Sequence, residues 1–481
     1  MEDGLPAEQL TPTSASRPKT GIVHLGLGAL FRALGCVFVA DAMTASGGDW
    51  GIVGVSLRSP KVRDALRPQG WAYTSLTMDV PAPVARQIEV LNDVLVAPED
   101  PTAVLDAMAD PAVKIVSLTV TEKGYCHTPA TGLLNTEHPD ILHDLAHALP
   151  RSAIGYLVRA LQRRRDAGHA PFTVLTCDNL PKNGKLLRTI VLDFARRLEP
   201  DLADWIAEQG RFPCSMVDRI TPATTEADIR TVTELTGLFD AAPVIHEPFM
   251  QWAIEDDFVG GERPDLEVVG VEMVTNVLRH ETMKLRMLNG THSALAYTGY
   301  LAGHKTISDT ICDPVFSRYT QDLWSEIIPS VDAPDGVDLS SYADALHARY
   351  RNPEIHHLTR QIAMDGSQKL PQRLLGTLRS NLNVGRPTAA LCLAIAAWMR
   401  YVCGIDEVGQ PIEVLDPRLE DIRALTAGLQ TPTEIVTALL SMESVFPSDL
   451  APLLRAPVIA AAETLWALGA REAIKTLQDD E

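Results

Sequence analysis

At 481 residues the chain exceeds what one ordinary core accommodates, so two domains are expected, each large enough to bury a substantial interior. With 46% hydrophobic and 22% charged residues it lies far from the composition of disorder, and both domains should fold. The 62 acidic against 42 basic residues leave a formal charge of −20, which repels phosphate backbones and anionic lipid, and no Lys/Arg-rich block offsets it; nucleic acid and membrane are not expected partners.

The first residues open with acids and lack the apolar stretch of a signal peptide, so 1–20 read as a flexible leader. From 21 to 275, short apolar β-branched runs alternate with helical patterns, as βαβ units around a buried parallel sheet do. The runs lie at 21–25, 51–57, 113–120, 172–176 and 243–246, and helical stretches at 154–165 and 186–198 separate several of them. This region is expected to be a Rossmann-like, doubly wound α/β domain that binds a dinucleotide.

From 276 to 481 long helical segments take over, at 284–302, 387–402, 433–440 and 456–468, with Pro387 suited to a first turn and 329–336 a connector. The fold class is therefore α/β, a Rossmann-like N-terminal domain followed by a mostly α-helical substrate and catalytic domain. The longest apolar run, 389–399, is far short of the roughly 20 residues of a membrane span. Seven cysteines without a C-x-x-C pair point away from disulfides and zinc-thiolate sites, towards a reducing cytoplasm.

The segment TGIVHLGLGALFR places an apolar strand directly before Gly26-x-Gly28 and a helix-compatible run after it, the context a dinucleotide fingerprint requires. Ile22, Gly26, Gly28, Ala29, Leu30, Phe31 and Arg32 are the candidate cofactor contacts, the glycines letting backbone approach a pyrophosphate. The position of the third glycine is occupied by Phe31. Where an NAD enzyme presents an acid to the ribose, this chain has Ser56-Leu57-Arg58-Ser59. Arg58 suits a 2′-phosphate or plain solvent equally, so NAD and NADP both stay open.

Further on, HETMKLRMLNGTHS sets Lys284, Asn289 and His292 at spacings of five and three on one expected helix. At about 100° per residue they span roughly 140° of arc, one broad face. Interconverting a carbonyl and an alcohol by hydride transfer needs a group to move the hydroxyl proton and donors to hold the developing alkoxide. A desolvated lysine, an asparagine amide and a histidine that orients a hydroxyl meet those needs without a metal. Spacing alone favours an ordinary helix with a snorkelling lysine, a structural asparagine and a satisfied histidine.

KLRMLNGTHS, with GIVHLGLGALFRA, VSLTVTEKGY, TCDNLPKNGKLL, FPCSMVDRITPATT, EPFMQWAIEDDF and QIAMDGSQKLPQRLL, resembles the long-chain mannitol dehydrogenase family, in family order from residue 21 to beyond 370. The resemblance implies Lys284 as general acid/base, Asn289 and Asn179 as the oxyanion contact, and His292 as a substrate ligand. Asp218 and Lys369 would complete the pocket, with Arg360 as a further contact. It also implies a Rossmann-like N-terminal domain, a helical C-terminal domain and an active site in the cleft between them; NAD is the expected cofactor, with NADP left open.

Two departures stand out. Where the family reads F-H-R-A-H, this chain reads Leu30-Phe31-Arg32-Ala33-Leu34, with both histidines replaced by apolar residues. Mannitol-type members carry an arginine where Gln361 stands beside Arg360, and the wording around it resembles the fructuronate reductase (mannonate oxidoreductase) branch. The expected reaction is reversible reduction of D-fructuronate to D-mannonate, with mannitol 2-dehydrogenase or a related polyol dehydrogenase as the alternative. The lost histidines also motivate a catalytically weakened, nucleotide-binding regulator, against which the intact Lys284, Asn289 and His292 speak. The expected ligand is a small sugar acid or sugar alcohol, and the expected state a monomer or small homo-oligomer.

Overall fold

The computed structural model describes residues 7–479 apart from positions 15, 80, 129, 130 and 356. The chain divides into two compact units, with the division after Leu278.

In the N-terminal unit five strands, β1 (Thr20–Leu25), β2 (Gly51–Ser56), β3 (Leu91–Val96), β4 (Ile115–Leu118) and β5 (Thr173–Thr176), form one all-parallel sheet in the order β5-β4-β1-β2-β3. β1, β2, β4 and β5 are buried along almost their whole length, which is why their sequences read as mainly apolar runs. From β1 the chain winds to one side through β2 and β3, then returns to the other through β4 and β5. The order reverses between β1 and β4, and a doubly wound sheet opens its binding crevice at the carboxyl ends of the strands around such a point.

Three expectations change. β3 is an additional strand: Asn92 and Asp93 interrupt its apolar pattern because it is an edge strand, half-covered on one face. The run at 243–246 does form a strand, Val244–His246, but it pairs with Tyr73–Thr77 in a separate three-stranded sheet. The leader is partly docked: Glu8–Gln9 pairs with Leu238–Phe239 and Leu10 is buried, while residues 1–6 lie outside the described residues. A further small sheet joins Ser215–Asp218, Gln251–Glu255 and Glu272–Val274.

The C-terminal unit is helical, and among its described residues only two isolated bridges have β character. In the helix Ala389–Val402 twelve of fourteen residues are buried, so it is apolar on every side because it runs through the middle of the core. Pro387 lies ahead of the N-cap Thr388 and thus outside the first turn. Two helices, Ala29–Ser46 and Ala451–Leu468, reach the length and mean hydropathy of a membrane span, although no unbroken apolar run does. In this fold Ala29–Ser46 contributes Val37, Phe38 and Val39 to a core, and Ala451–Leu468 buries the stripe Leu454, Val458, Ala462 and Leu465.

Glycine is required at position 366 by packing. A Cβ there would stand 2.3 Å from Trp398 Nε1 and 2.6 Å from Tyr297 Oη, and both aromatic side chains are fully buried. Gly366→Ala is therefore expected to destabilise the helical unit by roughly 1–3 kcal/mol through overpacking. Chemical denaturation checks this, and an unchanged midpoint would show that the core yields at this point.

Candidate functional site

Gly26 follows β1 with φ +87°, and a Cβ there would meet the Thr119 carbonyl oxygen at 2.2 Å, so only glycine fits the turn. The Thr119 hydroxyl donates to the Gly26 carbonyl at 2.9 Å. His24, buried in β1, sets its two ring nitrogens 2.8 Å from the Ser117 hydroxyl and 2.9 Å from that of Thr119. Burial pushes the His24 ring down to about 3, so it is neutral and serves as a hydrogen-bonded strut. Phe31 stacks flat on this ring at 3.4 Å and also fills the space left by Gly35, where a Cβ would lie 2.3 Å from the phenyl ring. Leu34 is buried in the same core. The two lost histidines are thus replaced by packing.

A cleft of about 1050 Å³ opens beside these strand ends. From the expected cofactor contacts it takes Gly26, Gly28 and Arg58 into its wall. Ile22, Ala29, Leu30, Phe31 and Arg32 are not part of that wall. Arg32 corrects its expectation most clearly: its guanidinium is buried, donates to the Ala242 carbonyl at 2.5 Å and lies over the Tyr73 ring. Sequence reasoning did not single out Thr119, Thr121, Lys123 and Arg151, which also line the cleft, although the VSLTVTEKGY block contains three of them.

A buried carboxylate ties two of the motif blocks together. Asp178 accepts from the backbone N–H groups of Val120 (3.0 Å) and Thr121 (2.9 Å) and from the Tyr125 hydroxyl (3.0 Å). Burial raises its carboxyl, and these three donors act in the opposite direction. Thr121 is held at φ +64° and Lys182 at φ +50°, conformations that persist only where surrounding bonds impose them. Asn183 donates to the carbonyls of Asp178 and Ser215, both at 2.8 Å. Asn179 therefore sits exposed on a loop fixed from both sides. Asp218 is buried at the end of its strand opposite Gln251, and Arg219 next to it donates to the carbonyls of Ala33 and Glu247.

In the helical unit the segment Lys284–Gly290 is a π-helix, continued by the α-helix Thr291–Leu301. This changes the angular expectation. An i→i+5 register stacks residues five apart nearly above one another, so Lys284 and Asn289 share one side more closely than an α-helix would allow. Lys284, Asn289 and His292 are each only 6% exposed. Asn289 Nδ2 and His292 Nε2 are buried with no hydrogen-bond partner among the described residues. A second π-helix, Pro371–Leu375, passes close by: a side chain at Gly290 would come within 2.9 Å of the Arg373 carbonyl oxygen.

Burial pushes His292 well below its usual range, helped by His357, Arg373, Arg349 and Lys369. Burial, then Arg373, bring Lys369 down to about 8, and its ammonium donates to the carbonyls of Ile362 and Met364. Asp365, ahead of Lys369 in the DGSQK block, takes a left-handed conformation at φ +56°. Lys369 is thus associated with His292, whereas Arg360 is exposed and its charge bears on Tyr300. His357, Arg373 and Tyr350 surround His292 without having been singled out, since none belongs to a periodic pattern. Asn179 and Asp218 belong to the N-terminal unit. Among the described residues no cluster of three His, Cys, Asp or Glu side chains is placed to hold a metal ion.

Comparison with known proteins gives consistent matches. Residues 20–268 match the family described as Mannitol dehydrogenase Rossmann domain, and residues 276–466 match Mannitol dehydrogenase C-terminal domain. The chain is 47% identical to the uncharacterized oxidoreductase YeiQ of Escherichia coli over 89% of this chain and 88% of that one. It is 43% identical to the D-mannonate oxidoreductase of Escherichia coli over 96% of both chains. Among solved structures it is similar to the ternary complex of Pseudomonas fluorescens mannitol 2-dehydrogenase with NAD and D-mannitol, with a TM-score of 0.85 and 36% identity over 99% of this chain and 98% of that one.

Proposed function

Because the chain belongs to the mannitol dehydrogenase family of oxidoreductases, we propose that it interconverts D-fructuronate and D-mannonate, exchanging a hydride with NAD. The observation that carries the substrate assignment is the likeness to a D-mannonate oxidoreductase along nearly the whole length of both chains. The pair of buried, unpartnered donors Asn289 Nδ2 and His292 Nε2 supports it, since a substrate oxygen satisfies what the chain leaves unsatisfied.

The nucleotide cleft fits a dinucleotide by its volume and by its wall, in which Gly26 and Gly28 expose backbone and Arg58 carries an unpaired positive charge. When bound, the reduced dinucleotide supplies the hydride. Lys284 donates the proton that completes the new hydroxyl, and in the reverse direction accepts it. Asn289 and Asn179 hold the oxygen as negative charge develops on it, and donors fixed before the reaction stabilise that charge without reorganising. His292 orients a neighbouring hydroxyl, with Asp218 and Lys369 as further substrate contacts. Seven unpaired cysteines suit a reducing cytoplasm, where we place the protein.

The test is a substrate matrix followed by nicotinamide absorbance near pH 9, offering NAD and NADP each with mannonate, altronate, mannitol and arabinitol. Mannonate oxidation with NAD is the expected result. Oxidation of mannitol with mannonate untouched would replace the uronate reading by mannitol 2-dehydrogenase, and preference for NADP would assign Arg58 to the 2′-phosphate.

A further inference from the structure

The loop ahead of the helix Thr359–Ile362 carries His357, which the motif reading passes over. Its backbone is fixed by Ile307, whose N–H donates to the His357 carbonyl at 2.9 Å, and by its own N–H, which donates to Ile355 at 2.8 Å. Its ring meets that of His292 edge-on with centroids 4.6 Å apart. Three polar atoms in this region, His357 Nδ1, His292 Nε2 and Asn289 Nδ2, are buried without a partner among the described residues. One unsatisfied buried atom is a defect, but three gathered beside one another form a receptor surface for a polar ligand.

The surroundings specify the charge of that ligand. Arg373 donates to the hydroxyl of Ser293, the residue after His292, at 2.9 Å, so its guanidinium is held beside the same helix turn. Tyr350 closes another side, its ring 5.3 Å from that of His292 and its hydroxyl donating to the Leu288 carbonyl at 2.8 Å. We infer that His357 and Arg373 form the end of the substrate pocket that receives a carboxylate, and that His357 thereby selects a sugar acid over a neutral polyol. The inference rests on the sugar-acid reading above and gives its specificity a structural origin.

Two electrostatic facts support it. Burial pushes His357 down to about 4, so at neutral pH its ring is uncharged and offers an N–H donor. The neighbouring charges that bear on His292, from Arg373, Arg349 and Lys369, are all positive. In a chain of net charge −20 the Arg373 guanidinium, held beside His292 through Ser293, favours an anion at this point over a neutral terminal CH₂OH.

His357→Phe keeps an aromatic ring against His292 and removes the N–H donor. Steady-state oxidation of mannonate and of mannitol with NAD reads the effect, and a thermal melt confirms that the variant is folded. The expected result is a mannonate KM raised at least about tenfold with kcat changed far less, and a mannonate-to-mannitol selectivity lowered by a similar factor. His357→Ala carries the same expectation if the phenyl ring prevents folding. A folded variant with wild-type KM and selectivity would overturn the inference while leaving mannonate as substrate. Wild-type protein inert towards mannonate would instead overturn the sugar-acid reading itself.

Discussion

Lys284→Ala is expected to lower kcat for the oxidation of a sugar acid by about 10²–10⁴-fold while leaving nucleotide affinity almost unchanged. The amine lies on the same side of a π-turn as Asn289, 6% exposed, in the helical unit. The glycine turn and the cleft with Arg58 belong to the other unit and do not depend on it. Loss of the amine removes the group that moves the hydroxyl proton, and water held in the vacated space is a poor substitute without its positioning. Turnover by stopped-flow absorbance together with nucleotide titration checks both halves. A variant with wild-type turnover would remove Lys284 from the mechanism.

The second large effect is expected at Asp178, which takes no direct part in the proposed reaction. Asp178→Ala leaves the N–H groups of Val120 and Thr121 and the Tyr125 hydroxyl without their shared acceptor. Buried donors deprived of a partner cost about 1–3 kcal/mol each, so a loss of roughly 3 kcal/mol from the N-terminal unit is expected. Thr121, released from φ +64°, would no longer hold the cleft wall in place, and nucleotide binding should weaken by about tenfold or more. Denaturant unfolding and nucleotide titration give the two readings. Retained affinity in a folded variant would show that the loop keeps its shape without the carboxylate.

The inner strands were legible because Ile22 to Leu25 and Ile115 to Leu118 are covered on both faces, and their one polar residue each, His24 and Ser117, satisfies the other inside the sheet. β3 escaped notice because Asn92 and Asp93 are tolerated at an edge. Apart from the run at 243–246 the small sheets left no local signal, since a strand as short as Ser215–Asp218 exists only through its pairing with Gln251–Glu255. At the candidate site, Lys284, Asn289 and His292 were singled out by motif, but the geometric relation between them was not. A reading based on 3.6 residues per turn does not represent a π-helix. Arg32 was misplaced for a related reason: a guanidinium beside a glycine turn looks available to a phosphate, and its actual partner, the Ala242 carbonyl, lies far along the chain.

Of the seven cysteines, all unpaired, Cys312 alone is exposed; five are buried and Cys403 is partly covered, with its thiol directed at the Met399 carbonyl. Burial raises the thiols of Cys36, Cys126, Cys177, Cys214, Cys392 and Cys403, which keeps them as poorly nucleophilic S–H groups. A thiol-reactive dye added to the native protein would therefore mark the helical unit at one point, at the end of the helix Ile307–Cys312, without any engineered residue.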